Sequence, residues 1–425
     1  MSVLIVIFYI LSFFSVYIQV FLFVTFLENR KKIDIRSKKL ILKNYPTVTV
    51  IVPCYNEEKN VSLTVESLLN LDYPKGKLNI TVVDDGSKDN TWGVLNELYG
   101  SNKRVNLLQK DNGGKHTALN LALENTDSEF IGCLDSDSSV HPEALKRIIT
   151  FFDNEETMAV APSIMVRKPK KFIEYAQQAE FDMAHYNKKM LAFLRGLQVT
   201  PGPFSIFRKK VFDQIGPYKK AHNTEDQEIA LRMHRHGLLI DHCPDAYVYC
   251  GSPNTVPKLY KQRVRWIYGF IKNALDFKEL FFKKKYGNIG FFTLPAGFIS
   301  IFGAMFLLLF FLSRVFNYIG GKVIQVKVVG FGSLFGSDFN FDPFFLSTET
   351  FLFISIFLYI MVIVALFNGR RMIHGRKIFS FDILLFVVIY SVVAPFWLMK
   401  AIWNAIFSRE SNWAAERNYS LNQLK

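Results

Sequence analysis

Twenty-six consecutive uncharged residues, SVLIVIFYILSFFSVYIQVFLFVTFL from Ser2 to Leu27, constrain this chain more than any other stretch. At about 1.5 Å of rise per residue, a helix of that length exceeds a hydrocarbon core of about 30 Å. The run therefore predicts a membrane-spanning helix. A cleaved leader would have a shorter apolar part and basic residues in front of it; here the basic residues follow, in ENRKKIDIRSKKLILK (28–43). The positive-inside rule assigns that basic side to the cytoplasm.

Three further apolar stretches, at about 290–312, 350–367 and 381–399, read as additional spans. The basic segment NGRRMIHGRK between the last two is expected on the same side as the first basic flank, which puts residues between Arg314 and Ser347 outside. Pro395 and Lys400 interrupt the last stretch and leave the side of the C-terminus open. The expected organisation is an N-terminal transmembrane helix over 1–28, a globular domain over 45–257 and an amphipathic interfacial segment over 258–286. A C-terminal membrane region of about three spans over 287–408 and a polar tail over 409–425 complete it. Lys and Arg outnumber Asp and Glu by 51 to 37, a net charge of +14. Much of the excess flanks apolar segments, where anionic lipid headgroups account for it, so the lipid bilayer and not nucleic acid is the expected partner. Cys54, Cys133, Cys243 and Cys250 show no CxxC pairing and read as reduced core or site-lining thiols, without disulfide or zinc.

Between about 45 and 257, apolar runs of strand length alternate with helical patterns, which predicts an α/β domain with a mostly parallel sheet covered by helices. TVTVIVPCYN, LNITVVDDGS and EFIGCLDSDS are strands that end in polar loops, and EEKNVSLTVESLLNL places Val61, Val65, Leu68 and Leu69 on one helical face. In open α/β sheets the ligand crevice lies beyond the carboxyl ends of the strands, where CYNEE, DDGS and DSDS all fall. Asp135 and Asp137 occupy alternate positions; on an extended segment they would point the same way and could bracket a divalent cation. Hard oxygen ligands with an open coordination sphere suit Mg2+ or Mn2+ shared with a diphosphate. The competing reading of such a turn is a set of capping carboxylates. NGGKHTALNLAL (112–123) lacks P-loop spacing and reads either as a turn placing Lys115 near a phosphate or as a glycine turn before a packed helix, with His116 a solvated neighbour.

VPCYNEE, VVDDGSKDNT, GGKHTALN, LDSDS, TEDQEIALR and KQRVRW, in this order, resemble the family 2 glycosyltransferases. The likeness is to the membrane-embedded branch that includes poly-N-acetylglucosamine, hyaluronan, cellulose and chitin synthases, and it covers about residues 45 to 270. It implies a GT-A, Rossmann-like nucleotide-sugar-binding domain flanked by transmembrane helices. Pro53, Tyr55 and Glu57, with Asp84 or Asp85, would hold the uridine, and Lys115 and Asp135 would stand near the donor's phosphates. Asp135 and Asp137 match the metal-binding DxD pair, with Ser136 where Ala is more usual. Gln262, Arg265 and Trp266 match the QxxRW signature over the donor diphosphate and the acceptor end, and Asp226 matches the catalytic base, with Glu225 beside it. Glu180, Tyr186 and Ser205 fall on the acceptor side and read as acceptor contacts or as structural residues.

The chemistry suits these residue types. Attack on an anomeric carbon needs a base near the acceptor hydroxyl, and the leaving diphosphate develops charge that a cation and a guanidinium can stabilise. The resemblance implies an inverting, UDP-sugar-dependent enzyme of the cell membrane with a cytoplasmic catalytic domain, extending a β-linked polysaccharide, with N-acetylglucosamine the expected sugar. Transfer of one sugar to a ceramide or polyprenyl lipid is the alternative, and a non-catalytic transporter or scaffold a distant one. Export of a polymer through about four spans leaves room for an accessory membrane protein or a homo-oligomer.

Overall fold

The computed structural model describes residues 3–33, 42, 44–330, 350–375 and 380–407. The basic flank from residue 34 to 41, the part of the stretch expected outside that follows residue 330, and the tail over 409–425 lie outside these residues. After the apolar helix α1 (Val3–Ile33) the chain enters the globular part: β1 (Val48–Cys54), α2 (Val61–Leu69), β2 (Leu78–Asp84), α3 (Thr91–Tyr99), β3 (Val105–Gln109) and α4 (Lys115–Glu124). Then come β4 (Phe130–Cys133), β5 (Ser139–Val140), α5 (Ala144–Ile149), β6 (Thr157–Val166) and the long α6 (Phe172–Phe193). β7 (Ile206–Arg208), α7 (Lys210–Ile215), α8 (Glu225–Arg235), β8 (Leu239–Cys250) and α9 (Val256–Asp276) follow, and α10 (Leu294–Val329), α11 (Thr350–His374) and α12 (Phe381–Ile406) end the described chain.

The eight strands form one sheet in the order β3-β2-β1-β4-β7-β6-β8-β5. β1 is buried along its whole length and pairs in parallel with β2 (Val50 opposite Ile80) and with β4 (Val50 opposite Gly132). A strand covered on both faces carries an unbroken apolar run, which is why VTVIVPC shows no polar alternation. Its side chains still alternate between faces: Val48, Val50 and Val52 enter a core with Val61, Val65 and Leu68 of α2, while Ile51 enters another with Ala118, Leu119 and Ile229.

Pairing is parallel across β3-β2-β1-β4 and between β6 and β8, and antiparallel where β7 meets β4 and β6 and where β5 meets β8, so the sheet is mixed with a parallel half. β7 has only three residues and follows the long α6, and β8 alternates buried and half-buried positions, unlike the continuously buried β1.

Among the described residues, four helical segments are long and apolar enough to cross a membrane: Val3–Ile33, Ile289–Val329, Phe353–His374 and Phe381–Ile406. The second continues as helix well past residue 312, where the apolar stretch was expected to end. The chain divides into two compact units, Met1–Phe23 with Ala296–Val364, and Val24–Pro295 with Ala365–Lys425. In the second unit α12 packs along both α9 and α6.

Candidate active site

The loops after β1, β2 and β4 meet at one edge of the sheet, tied by backbone bonds such as Asp85 N to Cys54 O at 2.9 Å and Leu134 N to Ile51 O at 2.8 Å. Several acidic residues singled out in the sequence act there as internal braces. Asp84 is fully buried and accepts from Gln109 Nε2 at 3.0 Å, from Ser87 N at 3.2 Å and from the Ser87 hydroxyl. Asp85 holds the glycine turn, accepting from Gly113 N at 3.0 Å, Gly114 N at 2.8 Å and Lys110 Nζ at 2.9 Å. Buried Glu57 accepts from Asn60 Nδ2 at 2.8 Å. Pro53 is buried in β1, and Tyr55 is half-buried in the loop that follows.

The glycine turn delivers Lys115 as the first residue of α4, with Gly114 at φ +91°. Lys115 Nζ lies 2.5 Å from Asp135 Oδ1. Burial pulls the Lys115 ammonium down, but Asp135, Cys133 and Glu225 outweigh it, so the group is held charged.

The DxD segment is not extended. β4 ends at Cys133, and Asp135 to Ser138 form a turn closed by Ser138 N donating to Asp135 O at 2.9 Å. Ser and Asp favour turns because their side chains bond nearby backbone. Asp135 consequently faces Lys115, while Asp137 stands beside the Ser138 hydroxyl at 3.2 Å and its carbonyl accepts from Arg167. Thr64 of α2, which the sequence offered no reason to select, fixes this turn: its buried hydroxyl lies 2.8 Å from Ser136 O and 2.7 Å from Ser138 O.

On the facing side, α8 opens with Glu225 and Asp226. The backbone carbonyl of Asp226 accepts from Thr200 N at 3.1 Å and from Thr200 Oγ1 at 2.9 Å, and its carboxylate accepts from Gln227 N at 3.0 Å. Burial pushes the Asp226 carboxyl up; Lys115 opposes this, and Glu225 and Asp135 add to it. Thr224 is gripped by α9, whose Asn273 Nδ2 donates to Thr224 Oγ1 at 2.8 Å. Gly269 of α9 is obligatory here, since a Cβ would overlap the Thr224 side chain.

These groups share one neighbourhood. Burial pushes the Cys133 thiol up to about 12, and the charges of Lys115, Asp135, Glu225 and Asp226 all act on it. Asp137 and Asp135 together act on Cys250, which burial likewise pushes up to about 12. Half-buried Lys188 of α6 joins the two sides: burial lowers its ammonium to about 8, against the pull of Asp226, Cys250 and Glu180. A Cβ on Gly202 would sit 3.0 Å from Lys115 Nζ and 3.5 Å from the Asp135 carboxylate, so the 200–204 loop closes against that ion pair.

Gln262, Arg265 and Trp266 lie on α9, with Arg265 half-buried and Trp266 36% exposed. The acceptor-side candidates have structural partners: Ser205 Oγ donates to Pro201 O at 2.6 Å, Tyr186 is buried against Phe26, and Glu180 pairs with Arg263.

Residues 49–216 match the family described as Glycosyl transferase family 2. The chain is 28% identical over 255 residues to a beta-monoglucosyldiacylglycerol synthase of Nostoc sp., covering 59% of this chain and 54% of that one. It is 27% identical over 330 residues to a poly-beta-1,6-N-acetyl-D-glucosamine synthase of Staphylococcus epidermidis, covering 76% of this chain and 75% of that one. The chain thus spans about half the length of the first of these relatives. A solved mannosyltransferase from Pyrobaculum calidifontis, in complex with GDP-Man and Mn2+, shares the fold with a TM-score of 0.57 at 16% identity, over 94% of this chain and 100% of that one. The motifs stand at the strand ends of a GT-A, Rossmann-like frame, and over residues 49–216 the chain matches a family 2 glycosyl transferase domain.

Proposed function

We propose that the protein transfers a sugar, N-acetylglucosamine by preference, from a UDP-sugar to the end of a growing β-linked polysaccharide with inversion at the anomeric carbon. The observation that carries this reading is the gathering of Lys115, Asp135, Glu225 and Asp226 around the buried end of β4. The likeness to the poly-N-acetylglucosamine synthase, which extends over three quarters of both chains, supports the sugar and the acceptor.

In this reading Asp226 accepts the proton of the acceptor hydroxyl as its oxygen forms the bond to the anomeric carbon. The bond from that carbon to the diphosphate breaks, and UDP leaves with the electron pair. The Gln227 N–H and the Thr200 contacts fix the base in place, and Lys115 supplies positive charge at the diphosphate. Asp135 and Asp137 offer two hard oxygen donors in one turn, and no cluster of three or more His, Cys, Asp or Glu side chains forms a closed metal cage among the described residues. That donor set fits Mg2+ or Mn2+ whose remaining ligands come from the diphosphate. When bound, the ion would offset charge on the leaving group. The four apolar helices and their basic flanks support a multi-pass protein of the cell membrane with this domain in the cytoplasm.

Incubating purified protein with a panel of UDP-sugars and Mg2+ or Mn2+, followed by mass analysis of the product, tests the proposal. A high-mass ladder is expected, and no UDP release from any donor would overturn it. The diacylglycerol-glucosylating relative favours a lipid acceptor as the second reading, for which a single glycolipid would be the product.

Because Asp226 must be ionised to act, and its surroundings raise its carboxyl above the ordinary 3.8, kcat is expected to fall with decreasing pH at a pH higher than an ordinary aspartate would give. The acid limb of the kcat profile measures this. Gly269→Ala is expected to shift Thr224 and the start of α8, lowering kcat by about 10²-fold and destabilising the protein by about 1–3 kcal/mol. Rate and melting measurements on the same preparation check it.

A further inference from the structure

α6, α9 and α12 meet at an ion-pair assembly that the reaction as described does not use. Glu180 of α6 accepts from Arg263 Nε at 3.1 Å and from its Nη2. Tyr390 of α12 donates to the same carboxylate at 2.5 Å, and Arg263 Nη2 reaches the Tyr390 hydroxyl at 3.4 Å. The third nitrogen of Arg263, Nη1, donates to Gln262 Oε1 at 2.5 Å, and the guanidinium lies over Trp266, 4.2 Å from the ring centroid.

Arg263 is 4% exposed, whereas Trp266 is 36% exposed. A planar cation covers one face of an indole, so the accessible surface of Trp266 belongs to the opposite face and the rim. An apolar ring face with that access suits the C–H face of a pyranose. Lysine would not serve at position 263, because holding Glu180, Gln262 and the ring at once needs the rigid fork of a guanidinium.

We propose that Arg263, gripped by Glu180 and Tyr390, is a positioning residue that fixes Trp266 as the platform for the terminal sugar of the acceptor. The membrane-length helix α12 thereby helps set the acceptor side of the site. This deepens the polysaccharide reading above and rests on it. A plain structural pin between α9 and α6 would change stability; a positioning residue changes how the acceptor is held relative to the donor.

The test uses the full chain in detergent with two readouts. Glu180→Gln and Tyr390→Phe preserve volume, and the second keeps a ring where that of Tyr390 now packs against Phe386 at 4.8 Å and Trp397 at 5.4 Å. With β-linked N-acetylglucosamine oligosaccharides as acceptor, each variant is expected to raise the acceptor KM about tenfold while the donor KM stays within about twofold. Arg263→Lys is expected to show the same split. In protein labelled with fluorotryptophan, the fluorine resonance of Trp266, assigned by its loss in Trp266→Phe, is expected to shift and broaden in Glu180→Gln. An unmoved resonance, or donor and acceptor KM values rising together, would overturn the proposal. A moved resonance with no transfer to any oligosaccharide by the unaltered protein would uphold the grip on Trp266 and overturn the polysaccharide reading instead.

Discussion

Asp226→Asn is expected to lower sugar transfer by about 10²–10⁴-fold while leaving the affinity for UDP within about twofold of the unaltered protein. Asparagine matches aspartate in shape and can still accept the hydrogen bond that Gln227 N–H now gives the carboxylate at 3.0 Å. The Thr200 contacts to the backbone carbonyl do not depend on the side chain. The amide cannot take up the acceptor proton, so only the chemical step should suffer. Glu225→Gln, one residue away at the start of α8, is expected to cost less, because its charge shapes the site without receiving the proton. Initial rates of UDP release and equilibrium titration with UDP separate the two effects. If UDP affinity falls in step with the rate, Asp226 holds the donor and the assignment of the base is wrong.

The sequence exposed the parts of this site that follow local rules. Buried parallel strands read as continuous apolar runs, and the polar loops at their ends lie where such sheets bind ligands. The order of the motifs then led to the family. What was illegible depends on partners far apart along the chain. Thr64 bonds the DxD turn 72 residues on, Asn273 grips Thr224 from 49 residues away, and Tyr390 reaches Glu180 across 210. No periodicity encodes such pairings. The same limit hid the bonds by which Asp84, Asp85 and Glu57 brace the neighbouring loops, since an acidic residue at a strand end carries the same letters whatever its oxygens accept from. The assumption that the DxD segment is extended failed because the turn preference of Ser136 and Ser138 overrides strand continuation once β4 loses its pairing partners beyond Cys133.

A second pairing of this long-range kind carries the largest expected effect on stability. Arg370 of α11 is 4% exposed and donates to Asp182 of α6 at 2.9 Å, to Ser380 Oγ at 2.7 Å, and to Asp382 of α12. Asp182 is 1% exposed and also accepts from Gln178 Nε2 at 3.1 Å. Gly369 lets α11 approach, since a Cβ there would collide with the Asp182 carbonyl. Arg370→Met leaves two buried carboxylates without their counter-charge and is expected to destabilise the protein by about 3–5 kcal/mol. Asp182→Leu alone should destabilise in the same range, for then the guanidinium keeps only one carboxylate. The double variant Asp182→Leu/Asp382→Leu in the Arg370→Met background removes the guanidinium and both carboxylates at once and should recover most of the loss, because the attraction of a buried pair largely offsets what its desolvation costs. Thermal unfolding of each variant in detergent decides the matter. Equal destabilisation by Arg370→Met and by the triple variant would mean that packing volume, and not charge pairing, holds α6 against α11 and α12.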